Sequence, residues 1–233
     1  MANKLEATLV ILTFNEIEGL KALYSKIPAA EFDEVFAVDP GSTDGTLGFL
    51  KEKGVNVVIQ GISGRGEAFR IAAKKARNEN IVFYSPDGNE DPDDILKLIE
   101  CLKEGYDMAI ASRFMRQSRS DDAGELIKHR SLGNKLFTNI ANVLWRGSLT
   151  DSINGFRAIK KQKFLELNPD AHGFGIEYQM SIRALKLKHK IKEIPTIEGD
   201  RIGGKSTAGS IPVGWLFVKI ILRELLSGTR FRK

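Results

Sequence analysis

The sequence predicts an α/β domain, with a mostly parallel central sheet and helices on both faces. Three observations predict it. Apolar runs rich in Val and Ile alternate with helix-like segments across the first half of the chain. Each run is continuous rather than every other residue, as expected of strands covered on both sides. The chain has 233 residues, 42% of them hydrophobic and 28% charged. That suffices for one large globular domain burying roughly 70–75% of its unfolded surface.

The first strand is ATLVILTF (7–14), and the N-terminus enters it without the architecture of a signal peptide, so the expected compartment is the cytoplasm. A helix follows from Glu16 to Ile27, then a strand, EVFAVD (34–39), and a helix from Thr46 to Lys53. The beat repeats with VNVVIQ (55–60) and Glu67 to Arg77, with NIVFYS (80–85) and Pro92 to Glu104, and with YDMAIASRF (106–114). After residue 114 it stops. RQSRSDDAGE is polar and expected to be mobile, Leu126 to Trp145 reads as a long helix, and DSINGFRAIKK leads to another around Ile176 to Lys188. IKEIPTIE is a last strand before a glycine-rich loop and a final apolar segment. One domain is expected over residues 1–210, with residues 211–233 an amphipathic helix of the same domain.

The apolar core of that last segment is shorter than the roughly 20 residues a spanning helix needs, and it contains Lys219, Arg223 and Glu224. Two readings stand. The helix packs on the domain through Trp215, Phe217, Val218, Ile221, Leu222 and Leu225, or it lies peripherally on the cytoplasmic membrane face. In the second case Arg230, Arg232 and Lys233 would be drawn to anionic lipid. A net charge of +5 and a pI of 9.2 suit lipid or phosphorylated partners. No nucleic-acid motif or aromatic interleaving is present, so nucleic acid is not an expected partner. Cys101 is the sole cysteine, which excludes an intramolecular disulfide, and ILKLIECLKEG places it on a helix packed against the core.

The stretch YSPDGNEDPDD, residues 84–94, gathers Asp87, Glu90, Asp91, Asp93 and Asp94 around Asn89 at the end of a buried strand. Ligands of parallel sheets bind beyond the carboxyl ends of the strands, where Asp39 and Asp87 both fall. An EF-hand loop fails, because Pro92 and Leu98 stand where Gly and Glu are required. A helix start, with Pro92 at the first helical position and Asp91, Asp93 and Asp94 complementing the dipole, accounts for Asp93 and Asp94. Asp87, Asn89 and Asp91 fit a third reading, in which Mg²⁺ or Mn²⁺ is shared between these oxygens and a diphosphate. Near the C-terminus GDRIGGKS matches the letters of a phosphate loop. The STAGSIPVG that follows breaks the helix such a loop requires, so Arg201 and Lys205 read instead as a phosphate clamp.

In order and spacing, TFNE, VDPGSTDGT, GISGRGEAFRIAAKKA, SPDGNEDP, ASRF, DSINGFRAI and IKEIPTIEGDRIGGKS resemble the family 2 glycosyltransferases of the GT-A fold, close to the polyprenol-phosphate mannose and glucose synthases. The resemblance runs from about residue 7 to 206. It implies a Rossmann-like nucleotide-binding half and transfer of a sugar from a UDP- or GDP-linked donor. It implies that Asn15 and Glu16 border the nucleotide pocket, that Asp39 contacts the base or ribose, and that Arg65 lies near the nucleotide. Asp87, Asn89 and Asp91 would hold the metal, Arg113 would lie beside the diphosphate, and Arg157, Arg201 and Lys205 would handle donor and acceptor phosphates. The family's Asp-x-Asp is Asp87-x-Asn89 here, and Asp91 brings back the charge that the amide lacks. Asp44 and Thr46 read as turn and helix-start residues.

The nucleophile decides whether a base is needed. A sugar hydroxyl needs one, whereas a lipid phosphate with a second pKa near ~6 is already largely ionised. Asp151 and Glu177 are the candidate bases for a hydroxyl, with a structural cap and a helix start as their alternatives. His189 in KLKHK is expected at the surface. The favoured function is metal-dependent, inverting transfer to a polyprenyl phosphate. Transfer to a hydroxyl and non-catalytic binding of a nucleotide sugar are the alternatives. A sugar-1-phosphate nucleotidyltransferase is disfavoured, since LTFNEIEGL is not its arginine-containing glycine loop.

Overall fold

The computed structural model describes residues 4–120, 125–203 and 210–231. Its first half alternates as the apolar runs require: β1 (Leu5–Leu12), α1 (Ile17–Leu23), β2 (Phe32–Asp39), α2 (Thr46–Glu52), β3 (Asn56–Ile59), α3 (Arg65–Lys75), β4 (Asn80–Tyr84), α4 (Asp94–Lys103) and β5 (Met108–Ser112). There follow β6 (Arg119–Ser120), α5 (Glu125–Trp145), β7 (Arg157–Lys160), α6 (Lys161–Leu167), α7 (Ile176–Lys186), β8 (Ile191–Pro195), β9 (Ile197–Glu198) and α8 (Ser210–Ser227).

Seven strands form one sheet in the order β3-β2-β1-β4-β7-β5-β8. All pairs are parallel except those of β7, which runs antiparallel to both β4 and β5. Successive strand residues face opposite sides, and both sides are covered. Leu9, Ile11, Val82 and Tyr84 pack with Leu20, Leu50, Ile95 and Leu98, so α1, α2 and α4 share one face. Val10, Leu12, Ile81 and Phe83 pack with Phe69, Ala72, Phe164 and Met180, so α3, α6 and α7 share the other. The double burial is why these strands lack polar alternation.

Three details depart from what the sequence predicts. FRAIKK, expected as a connection, supplies β7, whose partners are remote and whose run is too short for a periodic signal. Part of the polar stretch after residue 114 is ordered, since Arg119 and Ser120 pair with β9. The side chain of His189 is 4% exposed rather than at the surface, with Nε2 3.1 Å from Glu166 Oε2.

α8 packs on the domain. Phe217, Ile220 and Ile221 join Ala141, Tyr178 and Ile182 in a third apolar cluster. Beside it the buried Glu224 accepts from Gln179 Nε2 (2.9 Å), Arg183 Nε (2.8 Å) and Lys186 Nζ (2.9 Å). The outer faces still carry apolar side chains: Leu132, Leu136 and Val143 on α5, and Trp215, Leu222, Leu225 and Leu226 on α8, are all exposed. Among the described residues no helix is long and apolar enough to cross a membrane.

Candidate active site

Because β7 alone is reversed, the other strands of the sheet deliver their carboxyl ends to one edge. The turn after β1 and the loop after β2 are tied together there. Asn15, at φ 55°, donates its N–H to Ser42 Oγ (2.8 Å) and accepts at Oδ1 from the Thr43 N–H (2.9 Å). The Glu16 N–H donates to Thr46 Oγ1 (3.0 Å), and Asp44 accepts from the amides of Ile17 and Thr46. Asp39 was expected to meet a base or ribose. It is instead fully buried, with four donors on its two oxygens: the amides of Gly41 and Ser42, Ser42 Oγ and Thr13 Oγ1. Asp39 builds the loop wall, and it has no exposed atom with which to contact a ligand.

The loop after β4 meets the loop after β9 face to face. Asn89 Nδ2 donates to the Gly199 carbonyl (2.9 Å), and the Ile202 N–H donates to the Asp87 carbonyl (2.7 Å). The fit admits no side chain at residue 88, where φ is 97° and a Cβ would stand 2.4 Å from the Asp200 carbonyl oxygen. This approach brings Arg201 between two acids. Its Nη1 donates to Asp87 Oδ2 (2.8 Å) and its Nη2 to Glu16 Oε1. Burial pushes the Glu16 carboxyl up to about 7; Arg201 pulls against that shift and the Asp87 charge adds to it. Among the described residues Glu16 Oε2 and Arg201 Nε are buried without partners. Lys205, the other expected half of the clamp, lies outside the described residues.

The expected metal ligands divide. Asp87 and Asn89 share one turn, with the Asn89 N–H on Asp87 Oδ1 (3.1 Å) and the Asn89 amide oxygen left over. Asp91 is used at the start of α4, where its Oδ1 accepts the Asp93 N–H (3.1 Å) and its carbonyl accepts the Asp94 N–H (3.0 Å). That is the helix-start role expected of its neighbours. Asp94 turns inward to Thr196 Oγ1 (2.6 Å), joining α4 to the β8–β9 link. Among the described residues no three His, Cys, Asp or Glu side chains gather into a metal-holding group. The remaining donors fit a hard divalent ion that takes few protein oxygens and leaves the rest to a diphosphate and water. Asp87 would supply charge, Asn89 an amide oxygen, and the unpartnered Oε2 of Glu16 stands in the same cluster.

Beneath this loop lies a second charged layer that sequence reasoning missed. Arg65 donates through Nε to Glu177 Oε1 and through Nη1 to Ser85 Oγ (3.1 Å), with Nη2 3.7 Å from Glu90 Oε1. Its guanidinium is thus engaged below the loop rather than aimed at a nucleotide. Glu90 Oε2 accepts the Ser85 N–H (2.6 Å), and burial raises its carboxyl to about 8 despite the opposing Arg65. In the sequence Glu90 is one of five clustered acids, and only the fold shows that it points beneath the loop toward Arg65.

Arg113 and Asp151 form a fork, Nε to Oδ2 at 2.7 Å and Nη2 to Oδ1 at 3.1 Å. Burial alone would raise the Asp151 carboxyl, but the Arg113 charge and hydrogen bonds outweigh it and hold it low. Asp151 also accepts from the amides of Ile153 and Asn154. Arg157 does not reach the cleft. It is fully buried, and its guanidinium donates to the carbonyls of Asn154 and Glu177 and to Ser181 Oγ. Burial pulls it down to about 10. Arg157 therefore braces the start of α7 instead of handling a phosphate.

Comparison with known proteins gives the family and the fold. The family described as Glycosyl transferase family 2 matches residues 8–167. Glycosyltransferase AglJ of Haloferax volcanii is 30% identical over 196 residues, covering 84% of this chain and 63% of that protein. A dolichol-phosphate mannosyltransferase of Pyrococcus furiosus is 29% identical over 212 residues, covering 87% of this chain and 59% of that protein. The chain thus spans less than two thirds of the length of both relatives. Among solved structures, glucosyl-3-phosphoglycerate synthase from Mycobacterium tuberculosis, in complex with Mn²⁺, UDP and glucosyl-3-phosphoglycerate, superposes with a TM-score of 0.69 at 21% identity, covering 95% of this chain and 79% of that one. At that identity the likeness establishes the fold.

Proposed function

The chain belongs to glycosyl transferase family 2, and from that premise we propose that it moves a sugar from a UDP- or GDP-linked donor to a polyprenyl phosphate, with inversion. The observation that carries the proposal is the state of the two candidate bases. Asp151 is buried in its fork with Arg113, and Glu177 is buried against Arg65. Asp151 is engaged by Arg113 and two amides, and Glu177 Oε2, without a partner among the described residues, is buried away from any acceptor hydroxyl; an ionised phosphate acceptor asks for no base. The relative named for a dolichol-phosphate acceptor supports the same choice.

In this reading Asn15 and Glu16 border the nucleotide, and Asp87 with Asn89 holds Mg²⁺ or Mn²⁺. The ion, when bound, supplies Lewis-acid stabilisation of the departing nucleoside diphosphate. Arg201 leaves the acids for the diphosphate oxygens, and Arg113, held flat by Asp151, adds a second fixed cation. Donors preorganised in this way usually supply more of the rate enhancement than any other single effect. Peripheral attachment to a membrane belongs to the same proposal, supported by the apolar side chains that α5 and α8 turn outward and by the nearby Lys219 and Arg223.

The test is transfer from a panel of UDP- and GDP-sugars to a short polyprenyl phosphate, with and without a chelator. Divalent-dependent transfer that Asp87→Ala abolishes, in a variant of unchanged circular dichroism, is the expected result. Full transfer in excess chelator, or transfer to simple sugars but never to the lipid phosphate, refutes it.

A further inference from the structure

We propose that Glu90 is a positioning residue, which with Arg65 clamps Ser85 from below and thereby fixes where Asp87 presents its carboxylate. The inference rests on the transferase reading above and deepens it by naming what holds the cation-binding turn in place.

The clamp has two arms. Glu90 Oε2 accepts the Ser85 N–H at 2.6 Å, closing the turn from Ser85 to Glu90 on itself. Arg65 Nη1 donates to Ser85 Oγ at 3.1 Å, so the residue two before Asp87 is held by backbone and side chain at once. Arg65 is itself anchored. Glu177 Oε1 takes its Nε, and the Phe69 ring lies 5.6 Å from the guanidinium carbon. Gly155 provides the clearance, since a Cβ there would stand 1.9 Å from Arg65 Nη2.

A turn that merely reversed the chain would need none of this. Here an arginine comes from 20 residues upstream, and its glutamate partner lies 112 residues beyond that arginine. Glu90 is 8% exposed and Glu177 2%, so neither offers surface to a substrate. Buried polar groups are costly unless they are hydrogen-bonded, and both Glu90 and Arg65 direct hydrogen bonds to Ser85, two residues before Asp87. Outer hydrogen bonds of this kind orient metal ligands, and losing one typically lowers metal affinity about 10–100-fold.

The experiment compares Glu90→Gln, which keeps an acceptor for the Ser85 N–H, with Glu90→Leu, which removes it. Both are made in the full chain. Mn²⁺ binding is read by electron paramagnetic resonance in the presence of UDP or GDP, and amide exchange over residues 85–90 is read by mass spectrometry. Glu90→Leu is expected to weaken Mn²⁺ binding by about tenfold or more and to speed exchange of the turn, while Glu90→Gln retains both. Arg65→Lys, which keeps the charge beside Glu177 but loses the Ser85 contact, serves if Glu90→Leu does not fold, and the same losses are expected. Faster exchange with unchanged Mn²⁺ binding overturns the positioning role, as does Glu90→Gln binding as weakly as Glu90→Leu. A wild-type chain that binds neither ion nor nucleotide sinks the transferase reading, and the proposal with it. A failure confined to the variants sinks the proposal alone.

Discussion

Arg201 Nη1 lies 2.8 Å from Asp87 Oδ2, so a cation of the chain's own already neutralises the carboxylate best placed to hold a metal. The same guanidinium reaches Glu16, which joins the loop after β9 to both acids of the other half of the sheet. The two carboxylates therefore share a single guanidinium before any ligand arrives.

Replacing Arg201 by Gln leaves Asp87 and Glu16 close together without a counter-charge. Mn²⁺ binding to the nucleotide-free variant is expected to tighten, because like-charged neighbours favour an added cation. Nucleoside diphosphate binding is expected to weaken by about 1.5–3 kcal/mol, the usual worth of a hydrogen bond to a charged group. Calorimetric titration of each ligand checks both, and weaker Mn²⁺ binding in the variant contradicts the bridge.

Asp151→Asn tests the discarded base. It should act on stability, since breaking a buried ion pair from one side costs about 3–5 kcal/mol and Arg113 would keep only Glu198, 3.5 Å away, as a counter-charge. Thermal unfolding should shift downward, while the pH–rate profile keeps its acidic limb, the one a general base would set. Loss of that limb with an unchanged melting point would restore Asp151 as a base and favour a hydroxyl acceptor.

The Glu224 network gives a pH dependence. Burial alone would raise this carboxyl, but hydrogen bonds from Arg183, Lys186 and Gln179 outweigh burial and hold it below its ordinary value of 4.5. A depressed acid contributes stability that is present above the unfolded pKa and lost as pH falls through the folded one. Attachment of α8 should thus hold at neutral pH and weaken below about pH 4.5. Trp215 fluorescence followed as pH falls below 4.5 reports it, and Glu224→Gln should flatten the acid limb.

Membrane attachment is best tested by point substitution. Deleting residues 211–233 would also remove Phe217, Ile220 and Ile221 from the third core cluster, confounding folding with binding. Leu222→Glu with Leu226→Glu changes only outward-facing positions. Salt-sensitive flotation with anionic vesicles is expected for the wild type and should be lost in the double variant at an unchanged melting point. Equal flotation of both would assign the outer face another role.

The sheet, its helical flanks and the position of Asp87 were legible in the sequence because double burial writes long apolar runs, and because strand ends in parallel sheets collect ligand-binding groups. What stayed hidden has one physical cause. The roles of Arg157, Arg65 and Glu177 depend on partners 20 or more residues away in the chain, and no local pattern distinguishes an arginine that braces a carbonyl from one that awaits a phosphate. Asp91 was ambiguous for the opposite reason. Its helix-start role and its metal role share the same letters, and only the direction of its hydrogen bonds separates them.

Strand β7 has a consequence for biosynthesis. It fills the gap between β4 and β5, with Arg157 opposite both Phe83 and Ile110. A nascent chain that has emerged through β5 therefore carries two hydrophobic strands with bare edges, and nothing yet translated can separate and pair them. Closure waits until residues 157–160 clear the ribosome, a long-range step of the kind that slows folding and leaves intermediates prone to aggregate. A chain ending before Arg157 would leave the NIVFY edge that β7 covers without its partner.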